Sequence, residues 1–341
     1  MNGKYIYGII NTGGESGPDF SGVESADLLH TIVHQNLGCV VSNYNGGEFR
    51  SMPKEDMVRY LLAHQMVVEH VMKEYTVLPV KFGTVLATPG EVRDLLSQGC
   101  FQFESALCWI QGKVEVEVAA TWDTGQVLAN ISTEPEIVQA REAAGHKGQP
   151  TVGDRIQLGQ IVKAAMDRRR DRYREQMIES LKSVAVDVQP NALVSDDLVM
   201  NVAFLVEKAR QEEFDSRVRQ LDELFHDQIN FRIIGPLPAY SFATVEVTKP
   251  DPERIEEARL LLGLDKVISE PEVRKAYRHL AAETHPDRKP GDELARLEFA
   301  RLRQASDLLI ACCKGQAESG DGLLINISRL RDSEVLASSF A

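Results

Sequence analysis

The sequence predicts an α+β chain: two α+β domains, then an all-α helical hairpin and a short tail. Three observations carry this. Apolar runs of strand length alternate with stretches of helical periodicity, in no strict βαβ order. Polar breaks rich in Gly and Pro fall at 130–153 and at Lys249-Pro250-Asp251-Pro252. Past the second break the strand signals stop and two amphipathic helices follow. The expected boundaries are 1–130 and 154–250 for the α+β domains, 131–153 for a linker, 253–314 for the helical segment and 315–341 for the tail.

Tyr5 to Ile10 reads as a strand. The loop Gly13-Gly14-Glu15-Ser16-Gly17-Pro18 has no following Gly-Lys-Ser/Thr and opens no helix, so it reads as a turn and not a phosphate cradle. Gly38 to Tyr44 is a strand, and Asn45-Gly46 after it carries hairpin-turn chemistry. Ser51-Met52-Pro53 opens a helix to about Tyr75, with Ser as cap and Met57, Leu61, Val68 and Val71 near one face. Val77 to Gly83 is a short strand, and Pro89 to about Ile110 a helix. Val114 to Val118 alternates with Glu115 and Glu117, as in an antiparallel strand with one wet face.

A long helix is expected from about Arg155 to Ser183. Its run Arg168-Arg169-Arg170-Asp171-Arg172-Tyr173-Arg174 is the most basic stretch, and nearby acids make it read as a solvated face. Val184 to Val188 and Leu198 to Val206 are strands. Phe214, Val218, Leu221 and Phe225 mark a helix by their spacings. Phe231 to Ile234 and Ala243 to Val247 close the second domain as strands. In the tail, Leu323 to Ile327 is one apolar run that docks weakly or frays.

The chain has 51 acids and 38 bases, a net charge of -13. Residues 253–314 hold twelve of each, so the whole excess lies elsewhere. This balance argues against broad nucleic-acid binding, which needs clustered Lys and Arg. No apolar run approaches the ~20 residues of a spanning helix, and no signal-peptide pattern opens the chain. A cytoplasmic protein with no lipid membrane contact is expected. Five cysteines without framework spacing read as reduced thiols. No Cys-x-x-Cys or His-Glu-x-x-His pattern is present, so neither metal nor cofactor is expected. No nucleophile signature surrounds any Ser, Cys or His, so the chain does not read as an enzyme.

The helical segment carries the strongest motif. Ser269 and Glu272 form a capping-box pattern, and Val273, Ala276, Tyr277 and Leu280 share a core-facing side of the helix they open. Arg274 and Arg278 lie outward, four apart, with Lys275 beside them. His285-Pro286-Asp287 ends the helix, and a second helix carries Phe299, Leu302, Ala305 and Leu309. With Leu262-Gly263-Leu264 ahead of it, this segment resembles the J-domain of DnaJ-type co-chaperones. Arg259 stands near the position of a usual aromatic, Glu283 replaces a usual base, and Thr284 and Ser306 replace usual aromatics. The resemblance implies that His285, Pro286, Asp287, Arg274, Lys275 and Arg278 contact a DnaK-type chaperone and stimulate its ATPase.

The preceding ~250 residues carry a second resemblance. Lys4-Tyr5-Ile6-Tyr7-Gly8-Ile9, Val77-Leu78-Pro79-Val80-Lys81-Phe82-Gly83-Thr84-Val85, Leu158-Gly159-Gln160-Ile161-Val162 and Gly235-Pro236-Leu237-Pro238-Ala239-Tyr240-Ser241-Phe242, in this order, resemble the gas vesicle protein family GvpF/GvpL. That resemblance implies two α+β units, the first a modified ferredoxin-like fold. It implies a cytoplasmic accessory or minor component of gas vesicles that associates with the shell protein GvpA. Two alternatives are a purely structural component with the helical hairpin as docking arm, and an unrelated substrate-specific J-protein.

Overall fold

The computed structural model describes residues 3–14, 17–18, 20, 29–46, 49, 52–145, 151–248, 252–265, 269–284, 293–314 and 323–328. The chain forms two compact units: residues 1–109 with 244–328, and residues 110–243.

The first unit is built on a five-stranded antiparallel sheet in the order β2-β3-β1-β4, with β5 also pairing with β1. The strands are β1 (Gly3–Asn11), β2 (His30–His34), β3 (Leu37–Tyr44), β4 (Val77–Pro79) and β5 (Val85–Leu86). Helix α1 (Lys54–Met72) touches β1 and β4, and α2 (Pro89–Gln98) touches β2 and β3. Val67, Val68 and Val71 of α1 and Val92, Leu95 and Leu96 of α2 are buried. The hairpin turn precedes β3, at Gln35-Asn36, and does not follow it at Asn45-Gly46. Gln35 adopts the positive φ of 54° that this tight reversal needs. Helix α1 starts later than expected, with Pro53 as N-cap and no side-chain cap bond; Ser51 lies outside the described residues. Gly99 divides the expected helix 89–110 into α2 and α3 (Cys100–Ile110).

His64 on α1 is the buried polar centre of this unit. Its Nδ1 lies 2.9 Å from the Tyr5 hydroxyl, and its ring stacks on Tyr7 at 5.5 Å. Burial pulls its pKa down to about 4, so the ring is neutral near pH 7.

The second unit carries a four-stranded antiparallel sheet, β7-β8-β6-β9. Its strands are β6 (Lys113–Thr121), β7 (Asp187–Pro190), β8 (Leu198–Glu207) and β9 (Asn230–Leu237). Around it lie α4 (Thr124–Ile131), α5 (Pro135–Gly145), α6 (Val152–Lys182) and α7 (Gln211–Leu224). The core joins Val116, Val118, Trp122, Met177, Leu181, Met200, Phe204, Phe214 and Val218. Strand 113–121 thus pairs inside the second sheet, although it was expected to close the first domain. The expected linker 131–153 holds a helix, α5. Two acids of that helix region hold two of the α6 arginines: Arg169 reaches Glu134 at 2.7 Å and Arg168 reaches Glu136 at 2.7 Å. Arg170 bonds Asp167 and the Asp196 carbonyl, and lies 5.3 Å from the Trp122 ring. The basic run is therefore largely engaged within its own unit. Each exposed pair adds at most about 1 kcal/mol.

The alternation at Val114–Val118 misplaces one residue. Glu115 is fully buried, because the turn after β9 covers that face: Ser241 donates to its carboxylate from the backbone N–H and from Oγ, both at 2.7 Å. Removal from water pushes its pKa up to about 7, against the pull of those two hydrogen bonds; the neighbouring Glu117 charge pushes the same way. Gly235 permits this arrangement. It sits at φ 151°, and a Cβ there would stand 3.0 Å from the Glu115 carbonyl. Gly235→Ala is expected to destabilise the second unit by about 1–3 kcal/mol, measured as a lower urea midpoint with the first unit unchanged.

Strand β10 (Thr244–Thr248) belongs to the first unit, not to the second domain as expected. Val80 bridges Val245, Lys81 N–H donates to the Val245 carbonyl, and Lys81 Nζ pairs with Glu246 at 2.8 Å. The apolar tail run is a strand too: β11 (Leu324–Ser328) pairs antiparallel with all five residues of β10. A free apolar run and a sheet edge with open N–H and C=O groups satisfy one another. Between β10 and β11 the chain makes α8 (Pro252–Leu261), α9 (Glu270–Thr284) and α10 (Glu293–Lys314). The helical segment is thus bracketed by two strands that pair with each other.

Candidate functional site

The site is built on α8, α9 and α10. Helix α8 ends in a Schellman motif: Gly263 N–H donates to the Leu260 carbonyl, and Leu264 N–H to the Arg259 carbonyl. Gly263 takes φ 64°, which a residue with a Cβ adopts at a cost. Leu262-Gly263-Leu264 is therefore a helix stop, and it turns Leu262 into the core. Arg259 replaces an aromatic anchor with polar bonds, from its guanidinium to the Leu264 carbonyl and to Glu256.

Helix α9 starts at Ser269, whose N–H and Oγ both donate to the Glu272 carboxylate, at 2.9 and 2.7 Å. Those bonds hold the Glu272 pKa below the usual carboxylate range. Glu270 and Glu272 also place negative charge at the positive end of the helix. Val273 is fully buried against Ala258, Leu262, Leu302, Ala305 and Leu309, while Ala276, Tyr277 and Leu280 pack on the margin. Ser306, in place of an aromatic, is buried beside Ala305.

This packing fixes the opposite face of α9 in solvent. Arg274, Lys275 and Arg278 are exposed there, as expected. Arg278 Nε donates to the Arg274 carbonyl at 3.2 Å, so the two guanidinium groups rise from successive turns. One partner was missed in the sequence. Glu270 accepts from Arg274 Nε at 2.9 Å and from its terminal nitrogen at 2.6 Å. The signal was there, since Glu and Arg stand four apart in the favourable order. The charge of Arg274 is partly offset by Glu270. His285, Pro286 and Asp287 lie outside the described residues.

Other chemistry is sparse. Among the described residues, no group of three or more His, Cys, Asp or Glu is placed to hold a metal ion. Also among the described residues, no helix is long and apolar enough to cross a membrane. Burial raises the pKa of the Cys312 and Cys313 thiols, which makes them poor nucleophiles.

Comparison with known proteins follows the same division of the chain. Residues 3–244 match the family described as gas vesicle synthesis protein GvpL/GvpF. Residues 260–314 match the DnaJ domain. Gas vesicle protein F of Microcystis aeruginosa is 25% identical over 245 residues, covering 71% of this chain and 98% of that protein. The crystal structure of GvpF from Anabaena sp. superposes with a TM-score of 0.62 at 22% identity, covering 70% of this chain and 97% of that one; it supports the fold. A chaperone protein DnaJ of Ehrlichia ruminantium is 48% identical over 50 residues, which is 15% of this chain and 13% of that protein.

Proposed function

The chain belongs to the gas vesicle synthesis protein GvpL/GvpF family, and from that premise we propose that it is an assembly factor that joins a shell subunit to a chaperone. Residues 3–244 bind the shell protein GvpA and limit its aggregation. The segment 253–314 brings a DnaK-type chaperone to the same client. The protein works in the cytoplasm and at the gas vesicle, through binding and not through catalysis of its own.

A subunit that builds a gas-facing wall must expose apolar surface, and before assembly such surface associates without control. A soluble partner that covers it keeps the subunit competent. Fusing the chaperone-recruiting helices to that partner makes the second encounter intramolecular, which raises its effective concentration. The single observation that carries this reading is the co-occurrence, in one chain, of the 3–244 and 260–314 matches. The exposed Arg274-Lys275-Arg278 face supports it, since a cationic face steers an acidic partner.

The test is DnaK-type ATPase turnover with GvpA as client. Wild type is expected to stimulate it. Asp287→Asn keeps size and removes charge, and the loss of one charge-assisted hydrogen bond should weaken coupling about ten-fold. Arg274→Glu should do the same, with a steeper dependence on salt. Glu270→Gln releases Arg274 from its partner and should strengthen coupling, by up to about two-fold. Coupling left equal to wild type by Arg274→Glu and Glu270→Gln would refute a role for this face.

The docking-arm alternative has one observation in its favour. The offset of Arg274 by Glu270 leaves Lys275 and Arg278 as the remaining cations of the face. Under that reading GvpA capture persists and ATPase stimulation is absent.

A further inference from the structure

We infer that β11 is a self-pairing edge through which two copies of this chain join, β11 against β11, into one continuous ribbon.

Among the described residues, the edge strands β2, β7 and β9 are guarded. The Gly17-Pro18 loop lies on β2, where Thr31 Oγ1 donates to the Pro18 carbonyl at 3.0 Å. Strand β7 carries Asp187 and Pro190, and β9 carries Arg232 and Pro236. Charge, proline and covering loops are the usual means of blocking edge-to-edge association. Strand β11, Leu324-Ile325-Asn326-Ile327-Ser328, carries neither charge nor proline. One edge is satisfied by β10, and no described strand pairs with the other. Alternate N–H and C=O groups along that outer edge need a strand-like occupant.

The side chains select a second copy as that occupant. Antiparallel self-pairing about Asn326 sets Ile325 opposite Ile327, Asn326 opposite Asn326 and Leu324 opposite Ser328. The β-branched pair is favourable, the amides can bond one another, and no like charges meet. The register is its own two-fold image, as an isologous interface requires. Asn326 is exposed, and Ile325 and Ile327 are half-buried, so the central residue is free to meet its mate. Five residues of edge give less contact than the ~1,000 Å² of a strong interface, so the dimer is weak and concentration-dependent.

Sedimentation equilibrium of the full chain from about 5 to 200 μM tests this. Wild type is expected to move from monomer toward dimer across that range. Asn326→Lys opposes two like charges at the symmetry axis and should weaken association about five-fold or more. Asn326→Thr should keep it, and Asn326→Cys should give a disulfide between copies under mild oxidation. Hydrogen-exchange protection at Val245 and Val247 reports whether β11 still pairs with β10 in each variant. A wild type that stays monomeric throughout overturns the inference. So does an Asn326→Lys variant that keeps β11 in place and dimerises as wild type does.

Discussion

Between pH 8 and pH 5, Glu115 and His64 are expected to shift the stabilities of their two units in opposite directions. In the second unit, the buried Glu115 titrates near 7, above the 4.5 of an exposed carboxyl. Its folded pKa is raised, so its contribution is present at low pH and lost as pH rises from 4.5 through 7. At roughly 1.36 kcal/mol per unit, the loss is about 3 kcal/mol. Glu117, also pushed up by burial, adds in the same sense. In the first unit, His64 titrates near 4, below the usual 6.5. Its contribution is present above 6.5 and is lost as pH falls toward 4, again by about 3 kcal/mol at full effect. Acidification therefore tightens the unit around Ser241 and loosens the one around Tyr5 and Tyr7. The readout is hydrogen exchange followed unit by unit, comparing Glu115→Gln and His64→Gln with wild type at each pH. Each variant should flatten the pH response of its own unit. A wild-type response unchanged by Glu115→Gln would show that the carboxyl does not titrate in this window.

Leu309→Ala is expected to melt the helical segment and spare the rest. The core there is small: Ala258, Leu262, Val273, Leu302, Ala305 and Leu309 are its buried members. Truncating a buried leucine costs about 2–5 kcal/mol. A module of some 60 residues has little more stability than that to lose. Exchange protection should vanish across α8, α9 and α10 while β1, β3, β6 and β8 keep theirs. GvpA capture should persist, and chaperone stimulation should fall to background. Ending the chain at Pro250 is a poorer version of this experiment, because it also strips β11 from β10 and exposes a new edge. Retained protection in α9 would mean that the segment draws its stability from beyond these residues.

Much of this architecture was legible in the sequence, for physical reasons. Phe214, Val218 and Leu221 declared α7 by spacing, and all three are buried. Val273 likewise fixed which side of α9 faces inward, and with it the outward place of Arg274 and Arg278. What stayed hidden depends on contacts distant in sequence. Glu115 looked like the wet position of an alternating strand, and only the return of Ser241, 126 residues later, explains its burial. Strands β10 and β11 had the right local character, but their pairing is set across the whole of α8–α10. The α5 helix hid in a polar stretch, held partly by Arg168 and Arg169 from another helix.

The most direct test of the account is a single assay containing this protein, GvpA and a DnaK-type chaperone with ATP. The prediction is that GvpA stays soluble and bound, that ATP turnover rises only when this protein is present, and that Asp287→Asn weakens the coupling about ten-fold without releasing GvpA. An ATPase rate that wild type leaves unchanged over a broad concentration range, with GvpA bound, would contradict the coupling and leave α8–α10 as a docking arm.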